Sequence, residues 1–332
     1  MKVFVMIWKR FGMLFLMAAM IIFFGIMAPK TFLTETTLFN ILKQGSVTGI
    51  CACGVTMMLI TGGIDLSVAS RLALTQILTA QMLLAGVPIW ICVIFAIVFT
   101  AFTGALNAVI AETLHTSIFV VTMAAMYIYT GACYLTVGAT TIYGLPNLFK
   151  RISQTLIFNK IPSIVLIFAA CALIAHIILS KTTFGRHMYA LGGNREAARL
   201  SGINVRRTLI GTHALAGAFV GMASIALMSR TGTTGAIVSS STYSFDSIIA
   251  AVLGGVAIGG GLGNIYQTVL GIIVIYIMFN GLTIIHVSDY WQMVVKGVIL
   301  FLAIGLELLL RRSGATLGST KKEKETKQKE AA

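Results

Sequence analysis

Ten apolar runs dominate the chain and leave little of it able to face water. Crossing the roughly 30 Å hydrocarbon core of a bilayer takes about 20 apolar residues, and a spanning segment must satisfy its own backbone hydrogen bonds. Only 10% of the 332 residues are charged, against about 25% in soluble domains. The sequence therefore predicts an all-α, polytopic integral membrane protein with about ten transmembrane helices. The runs lie near residues 11–29, 40–61, 67–87, 88–110, 116–137, 162–180, 208–229, 245–261, 264–285 and 291–310.

The basic residues predict the orientation, because Lys and Arg accumulate on the cytoplasmic side of membrane proteins. With a cytoplasmic N-terminus, 17 of the 24 Lys and Arg residues fall in cytoplasmic segments, Arg71 among them, and six fall outside. We expect both termini in the cytoplasm, and the net charge of +14 then gives no reason to expect a nucleic-acid partner. Residues 1–312 are predicted to form the transmembrane domain, followed by a disordered, basic cytoplasmic tail over residues 313–332.

The stretch TGGIDLSVAS, residues 61–70, places a carboxylate between two apolar runs. If the second run ends and the third begins at the cytoplasmic face, Gly62 and Gly63 permit a sharp turn there. Asp65 could then cap the third helix, at a cost well below the roughly 2.5–3.5 kcal/mol of a charge at the centre of a spanning helix. A direct part for Asp65 in gating or in docking a partner is the alternative.

The longest polar interruption between apolar runs lies between the sixth and the seventh, and it predicts a small helix outside the membrane. We expect Gly192 and Gly193 to break the chain and Asn194 to cap a new helix by accepting an orphan N–H. Glu196 follows in the first turn, where the helix dipole favours an acid. Gly202 suits the left-handed residue that ends a helix. The pattern predicts about two helical turns.

The string EAARLSG, residues 196–202, resembles the EAA-type loop by which ABC importer permeases dock onto their ATPase subunits. The longer run FGRHMYALGGNREAARLSGIN is similar to the ribose/galactose/xylose branch of those permeases, which includes autoinducer-2 permeases. In this coupling helix, Ala197 and Ala198 would leave a low surface that seats in a cleft of the partner.

Two further stretches carry the same resemblance. TGGIDLSVAS resembles the family's Gly-Gly-Ile-Asp-Leu-Ser signature, here Gly62 to Ser67, with Ala69 where glycine is usual. FDSIIAAVLGGVAIGGGLGN resembles a glycine-rich segment of the family, with Leu262 in place of a usual basic residue and Gln267 where a further glycine is common.

The resemblance implies the permease subunit of a bacterial ABC importer in the inner membrane, for a monosaccharide or similar small solute. It implies three protein partners: a cytoplasmic ABC ATPase, an extracytoplasmic solute-binding protein and a second permease subunit. The chain itself is not expected to be an enzyme, because its glycine run Gly254–Gly263 lacks the lysine of a phosphate-binding loop. No cofactor or metal is expected.

Two other classes of protein stay open. An ion-gradient-driven secondary transporter would place a charge deep in a span, and Lys296 and Glu307 come nearest to that. An intramembrane enzyme has less support, since HExxH, GxSxG and paired carboxylates are absent from the spans.

The solute pathway is not readable from the sequence. Its compositional candidates are Gln44, Asn107, Tyr127, Tyr129 and Asn280. Three glycine pairs at small-xxx-small spacing predict close helix packing: Gly45/Gly49, Gly217/Gly221 and Gly255/Gly259.

Overall fold

The computed structural model describes the backbone of residues 2–312 and the side chains of residues 13–302 and 305. The predicted tail and the side chain of Glu307 lie outside this part. The described chain is mostly α-helical, as the apolar runs predict, and a helix overlaps each of the ten predicted intervals. These helices are α1 Lys2–Met27, α2 Glu35–Ile60, α3 Val68–Leu84, α4 Ile89–Thr113, α5 Ile118–Val137, α7 Ser163–Lys181, α10 Val205–Thr231, α11 Tyr243–Leu253, α12 Ile265–Ile284 and α13 Asp289–Arg312.

Shorter elements fill the connections. Three of them are helices, α6 Asn147–Gln154, α8 Thr183–Gly193 and α9 Arg195–Leu200. Two antiparallel strand pairs are formed by β1 Thr141–Ile142 with β4 Thr234–Gly235, and by β2 Leu156–Ile157 with β3 Ile161–Pro162. A 3-10 helix, Ala236–Ser240, follows β4 directly.

Six helical segments of the described residues are long and apolar enough to cross a membrane. They are Ile89–Thr113, Ile118–Val137, Ser163–Lys181, Val205–Thr231, Ala236–Leu253 and Ile265–Ile284. Met13–Met27 and Val68–Leu84 are shorter apolar helices.

Helix α2 lies at the centre of the bundle, where every residue from Gly45 to Ile60 is buried. It packs against α7, α10, α11 and α12. A Cβ at Gly49 would overlap the ring of Phe168, and one at Gly45 would lie 3.2 Å from Ile272. This glycine pair therefore provides the close packing that its spacing predicts.

The second glycine pair does the same between α10 and α4. A Cβ at Gly217 would overlap the carbonyl oxygen of Thr100, and one at Gly221 would lie 2.6 Å from that of Ala96. The two helices are in backbone contact there, so neither position has room for a side chain.

The third pair is not helical, and the predicted run 245–261 is wrong in its second half. Helix α11 ends at Leu253, and the chain continues as a glycine-rich loop in which Gly255 has φ +100°. Four glycines between 255 and 263 adopt positive φ, a conformation that glycine reaches without steric cost and that ends a helix. The 11 residues of α11 span only about 16 Å, too short to cross a bilayer alone.

Candidate functional site

Helix α9 has the capped form that the sequence predicts. The Oδ1 atom of Asn194 accepts hydrogen bonds from the backbone N–H groups of Glu196, at 3.0 Å, and Ala197, at 2.9 Å. At the other end Gly202 has φ +84°. Glu196 lies in the first turn and pairs with Arg199 on the exposed surface. The short helix is thus defined by its own residues at both ends.

The expectation that Gly192 and Gly193 break the chain is wrong. Helix α8 continues through both and ends at Asn194. Gly192 is required for a different reason, because a Cβ there would overlap the carbonyl oxygen of Ile60 and lie 2.5 Å from the backbone nitrogen of Gly261. The glycine allows close approach of two backbones.

Three separate chain segments meet at this point. The N–H of Gly261 donates to the carbonyl oxygen of Ile60 at 2.9 Å. A Cβ at Gly260 would lie 2.8 Å from the carbonyl oxygen of Gly192 and 3.0 Å from the nitrogen of Gly62, whose own φ is +82°. We call these five residues, Ile60, Gly62, Gly192, Gly260 and Gly261, the glycine junction. It joins the end of α2, the end of α8 and the loop between α11 and α12.

A side-chain contact reinforces the junction. The hydroxyl of Tyr189 on α8 donates to the carbonyl oxygen of Gly263 at 2.7 Å. Burial, and to a lesser degree the neighbouring Tyr266, raise the pKa of Tyr189, so this hydroxyl keeps its proton and its role as donor.

The surface of α9 is only partly free for a partner. Ala198 is 4% exposed because it packs against its own chain, whereas Ala197 is exposed. The expectation that both alanines seat in a partner is therefore wrong for Ala198. Leu200 is 79% exposed on the same short helix, and Arg195 forms an ion pair of 2.8 Å with Glu112 at the end of α4.

Asp65 is not the helix cap that the sequence predicts. The N-cap of α3 is Ser67, and Asp65 Oδ1 accepts hydrogen bonds from the Ser67 N–H at 2.7 Å and the Ser67 hydroxyl at 2.6 Å. Its other oxygen, Oδ2, pairs with Arg71 at 2.6 Å, and both side chains are 0% exposed. Arg71, expected at the cytoplasmic surface, lies inside the bundle, because a buried carboxylate needs a compensating charge. The sequence offered only their six-residue separation as a signal.

This ion pair lies where the start of α3 meets the start of α11. The Ser244 hydroxyl, at the start of α11, accepts from the N–H of Ala69 at 2.9 Å and donates to the carbonyl oxygen of Leu66 at 3.1 Å. Asn107 on α4 donates to the Ser67 hydroxyl at 3.3 Å and accepts from Tyr129 at 3.2 Å. Polar side chains thus satisfy the backbone where the helices are broken, as membrane proteins require.

A second ion pair neutralises Lys296, the charge that the sequence places deep in the last apolar run. Lys296 on α13 lies 2.9 Å from Asp246 on α11, and these side chains are 18% and 6% exposed. Its ammonium also donates to Thr242 at 3.0 Å and lies 4.4 Å from the ring centre of Phe279. Lys296 is therefore neutralised within the chain and links α13 to the start of α11.

The other compositional candidates do not converge on one site. Asn280 is buried and donates to the carbonyl oxygen of Tyr276 on its own helix. Tyr127 is 71% exposed, and Gln44 is also exposed. Among the described residues, no group of three or more His, Cys, Asp and Glu could hold a metal ion, and the five cysteines are free and buried.

Residues 37–304 match the family described as "Branched-chain amino acid transport system / permease component". The chain belongs to this permease family. The match runs from α2 into α13, so it includes the glycine junction, α9 and both buried ion pairs. Membership of this family identifies the protein as a multi-pass membrane permease.

Individual relatives within the permeases are sugar importers by name. The ribose import permease protein RbsC of Bacillus subtilis is 33% identical over 87% of this chain and 89% of its own length. The D-allose transport system permease protein AlsC of Escherichia coli is 30% identical over 93% of this chain and 94% of its own. The galactose/methyl galactoside import permease protein MglC of Haemophilus influenzae is 33% identical over 87% and 92%. No solved structure gives a significant match.

Proposed function

We propose that the chain is the membrane-spanning permease subunit of an ATP-driven importer for a monosaccharide that an extracytoplasmic binding protein delivers. Membership of the permease family and the sugar-import names of its relatives support this over transport by an ion gradient. The structural observation that carries the proposal is the attachment of α8 and α9 to the centre of the bundle at the glycine junction.

In this mechanism α9 is the coupling helix. Its exposed face, with Ala197 and Leu200, seats on the ATPase, and ATP binding and hydrolysis there move α8 and α9 together. Because Gly192 is in backbone contact with Ile60 and Gly261, that displacement acts directly on the end of α2 and on the loop before α12. A contact between backbones has no flexible side chain to absorb the motion.

The turn signature, Gly62, Gly63, Asp65 and Ser67, transmits the same motion to α3. Gly62 is part of the glycine junction, and Asp65 and Ser67 fix the start of α3 through the hydrogen bonds described above. The Asp65–Arg71 pair keeps this short segment rigid, so that α3 follows the junction. A gate formed at the starts of α3 and α11 would thereby respond to the ATPase.

We further propose that ten segments cross the bacterial inner membrane, the eighth formed by the 3-10 helix and α11 together over Ala236–Leu253, and that both termini are cytoplasmic. The α9 end of the bundle then faces the ATPase, and the opposite end, with α6 and the β2–β3 hairpin, faces the binding protein. A second permease subunit would complete the pathway.

The test is transport by purified components in proteoliposomes. With its ATPase and binding protein, the permease should concentrate a labelled sugar such as D-ribose, D-allose or D-galactose only when ATP reaches the ATPase. Labelled leucine, tested in parallel, should not accumulate. Concentration of solute by the permease alone under an imposed proton or sodium gradient would overturn the proposal in favour of a secondary transporter.

A further inference from the structure

A cavity opens at the end of the bundle opposite α9. Helix α10 begins at Val205, close to α9, and ends at Thr231 after 27 residues, about 40 Å away. At that distant end a cavity of about 680 Å³ is bounded by α3, α10, the start of α11 and the chain between them. Under the proposed orientation the cavity faces the binding protein.

The backbone around the cavity is not membrane helix. Strand β4 is buried, and the 3-10 helix after it inserts Ala236 into a cluster with Ala73 and Ile77 of α3 and Cys133 of α5. Irregular backbone within a membrane bundle is tolerated where it is buried in protein or lines a polar cavity. Segment 234–241 is partly buried, and most of its residues line the cavity.

The wall of the cavity is held in place by hydrogen bonds. Gln76, 1% exposed on α3, donates to the carbonyl oxygen of Ser224 at 2.9 Å and accepts from the Thr234 hydroxyl at 2.9 Å. Two other wall atoms, Arg230 Nε and Ser241 Oγ, have no hydrogen-bond partner among the described residues. Polar groups without partners are costly when buried, and a bound solute could supply such partners.

The lining offers a solute many hydroxyl groups and one guanidinium. Arg230 is the one charged side chain among the described residues that line the cavity, and most of the others carry hydroxyls, including Ser240, Thr233 and the two tyrosines Tyr143 and Tyr243. Among the described residues, no carboxylate lines this cavity, so a cationic group of a solute would find no counter-charge there. A sugar offers hydroxyls to the guanidinium and hydroxyl groups and an apolar ring face to the tyrosines.

We propose that this cavity is a solute subsite of the importer, in which Arg230 and the surrounding hydroxyls hold a neutral monosaccharide after it leaves the binding protein. The proposal rests on the proposed function, since it needs sugar as the solute and this end of the bundle outside. It assigns specificity to residues of the permease itself, at the ends of α10 and β4.

The first test is protection of an introduced thiol. Ser240 lines the cavity and is exposed, so Ser240→Cys should react with a membrane-impermeant thiol reagent added outside. D-Ribose, D-allose or D-galactose well above its dissociation constant should slow labelling about ten-fold, since occupancy protects in proportion to the ratio of concentration to Kd. Ser288→Cys is the matched control, because Ser288 is exposed between α12 and α13 and does not line the cavity. Its labelling should not change with sugar.

The second test is the KM of uptake by the complete importer. Arg230→Gln should raise the KM for sugar roughly ten- to hundred-fold, the usual effect of losing a hydrogen bond to a charged group. Lys30→Gln, on the exposed turn between α1 and α2 and outside both the cavity lining and α6, should leave it unchanged. If wild-type importer concentrates sugar with ATP but Ser240→Cys is not protected and Arg230→Gln and Lys30→Gln share one KM, the subsite is wrong while the proposed function stands. If leucine is both imported and protective, both proposals are overturned.

Discussion

The Nη2 atom of Arg71 donates a 2.6 Å hydrogen bond to the carboxylate of Asp65, and neither side chain reaches the surface. Two other guanidinium nitrogens of Arg71, Nε and Nη1, have no partner among the described residues. The pair joins two residues six positions apart at the start of α3, so it fixes how that helix begins after the glycine junction. Neither charge could remain there without the other.

Breaking this pair should therefore unfold the bundle locally. Removal of one partner from a buried ion pair costs about 3–5 kcal/mol, because the other charge is left uncompensated. We expect Asp65→Asn and Arg71→Leu each to lower the melting temperature of the detergent-solubilised permease sharply, and the double variant to recover part of the loss. Arg199→Ala, which breaks the exposed pair with Glu196, is the control and should have little effect. Additive losses in the double variant would contradict the coupling.

The glycine junction should not accept a methyl group at Gly192. Gly192→Ala would drive its Cβ into the backbone of Ile60, and overpacking of this kind costs about 1–3 kcal/mol. We expect reduced ATP-dependent uptake and ATPase activity that no longer responds to solute. Gly193→Ala is the matched control, because no atom of the described residues lies within 4 Å of its added Cβ. Equal uptake by the two variants would contradict the proposal that the glycine junction transmits motion from the ATPase.

Replacing Ala197 or Ala198 of α9 by a large side chain should have two different effects. Ala197→Trp should leave the permease folded yet weaken its co-purification with the ATPase about five- to 150-fold, the affinity equivalent of about 1–3 kcal/mol. Ala198→Trp should instead destabilise the permease, since Ala198 is buried in its own chain. Thr140→Trp, in an exposed turn at the opposite end, controls for an added tryptophan. Normal ATPase binding by Ala197→Trp would argue against docking through this face.

The effect of a substitution at Gly202 should depend on whether the new residue can adopt positive φ, not on the volume of its side chain. Its φ is +84°, and no described atom lies within 4 Å of an added Cβ. Gly202→Val should therefore cost about 1–2 kcal/mol of local backbone strain, which loosens the end of α9 and lowers uptake without lowering membrane expression. Gly202→Asn should be milder, because asparagine enters the left-handed region more readily. Loss of expression in both variants would contradict a local role.

Reporter fusions test the proposed orientation. Fusions after Thr140 should report the extracytoplasmic side, and fusions after Arg207 and Ala332 the cytoplasm, because basic residues are retained there. An alkaline phosphatase signal after Arg207 would place α9 outside and overturn both the orientation and its docking to an ATPase.

Local patterns were sufficient for features that depend on neighbouring residues. The apolar runs predicted where helices lie, although α11 ends well before its run does, and Asn194, Glu196 and Gly202 predicted α9 with its cap and its end. These features involve contacts within a few residues, where side-chain chemistry and backbone conformation act directly. The same local reasoning explains why Gly45/Gly49 and Gly217/Gly221 were predicted to pack closely.

What the tertiary structure alone decided are the contacts between distant segments. Gly192 looks like a helix breaker in sequence, yet it is a helical residue that must clear the carbonyl oxygen of Ile60, 132 positions earlier. The sequence predicts Asp65 as an exposed helix cap, whereas the structure pairs it with Arg71 inside the bundle. The sequence does not distinguish Ala198 from Ala197, whereas packing against the rest of the chain buries only Ala198. Burial and close backbone approach depend on how helices pack in three dimensions, and one sequence read along its length does not contain that information in any local pattern.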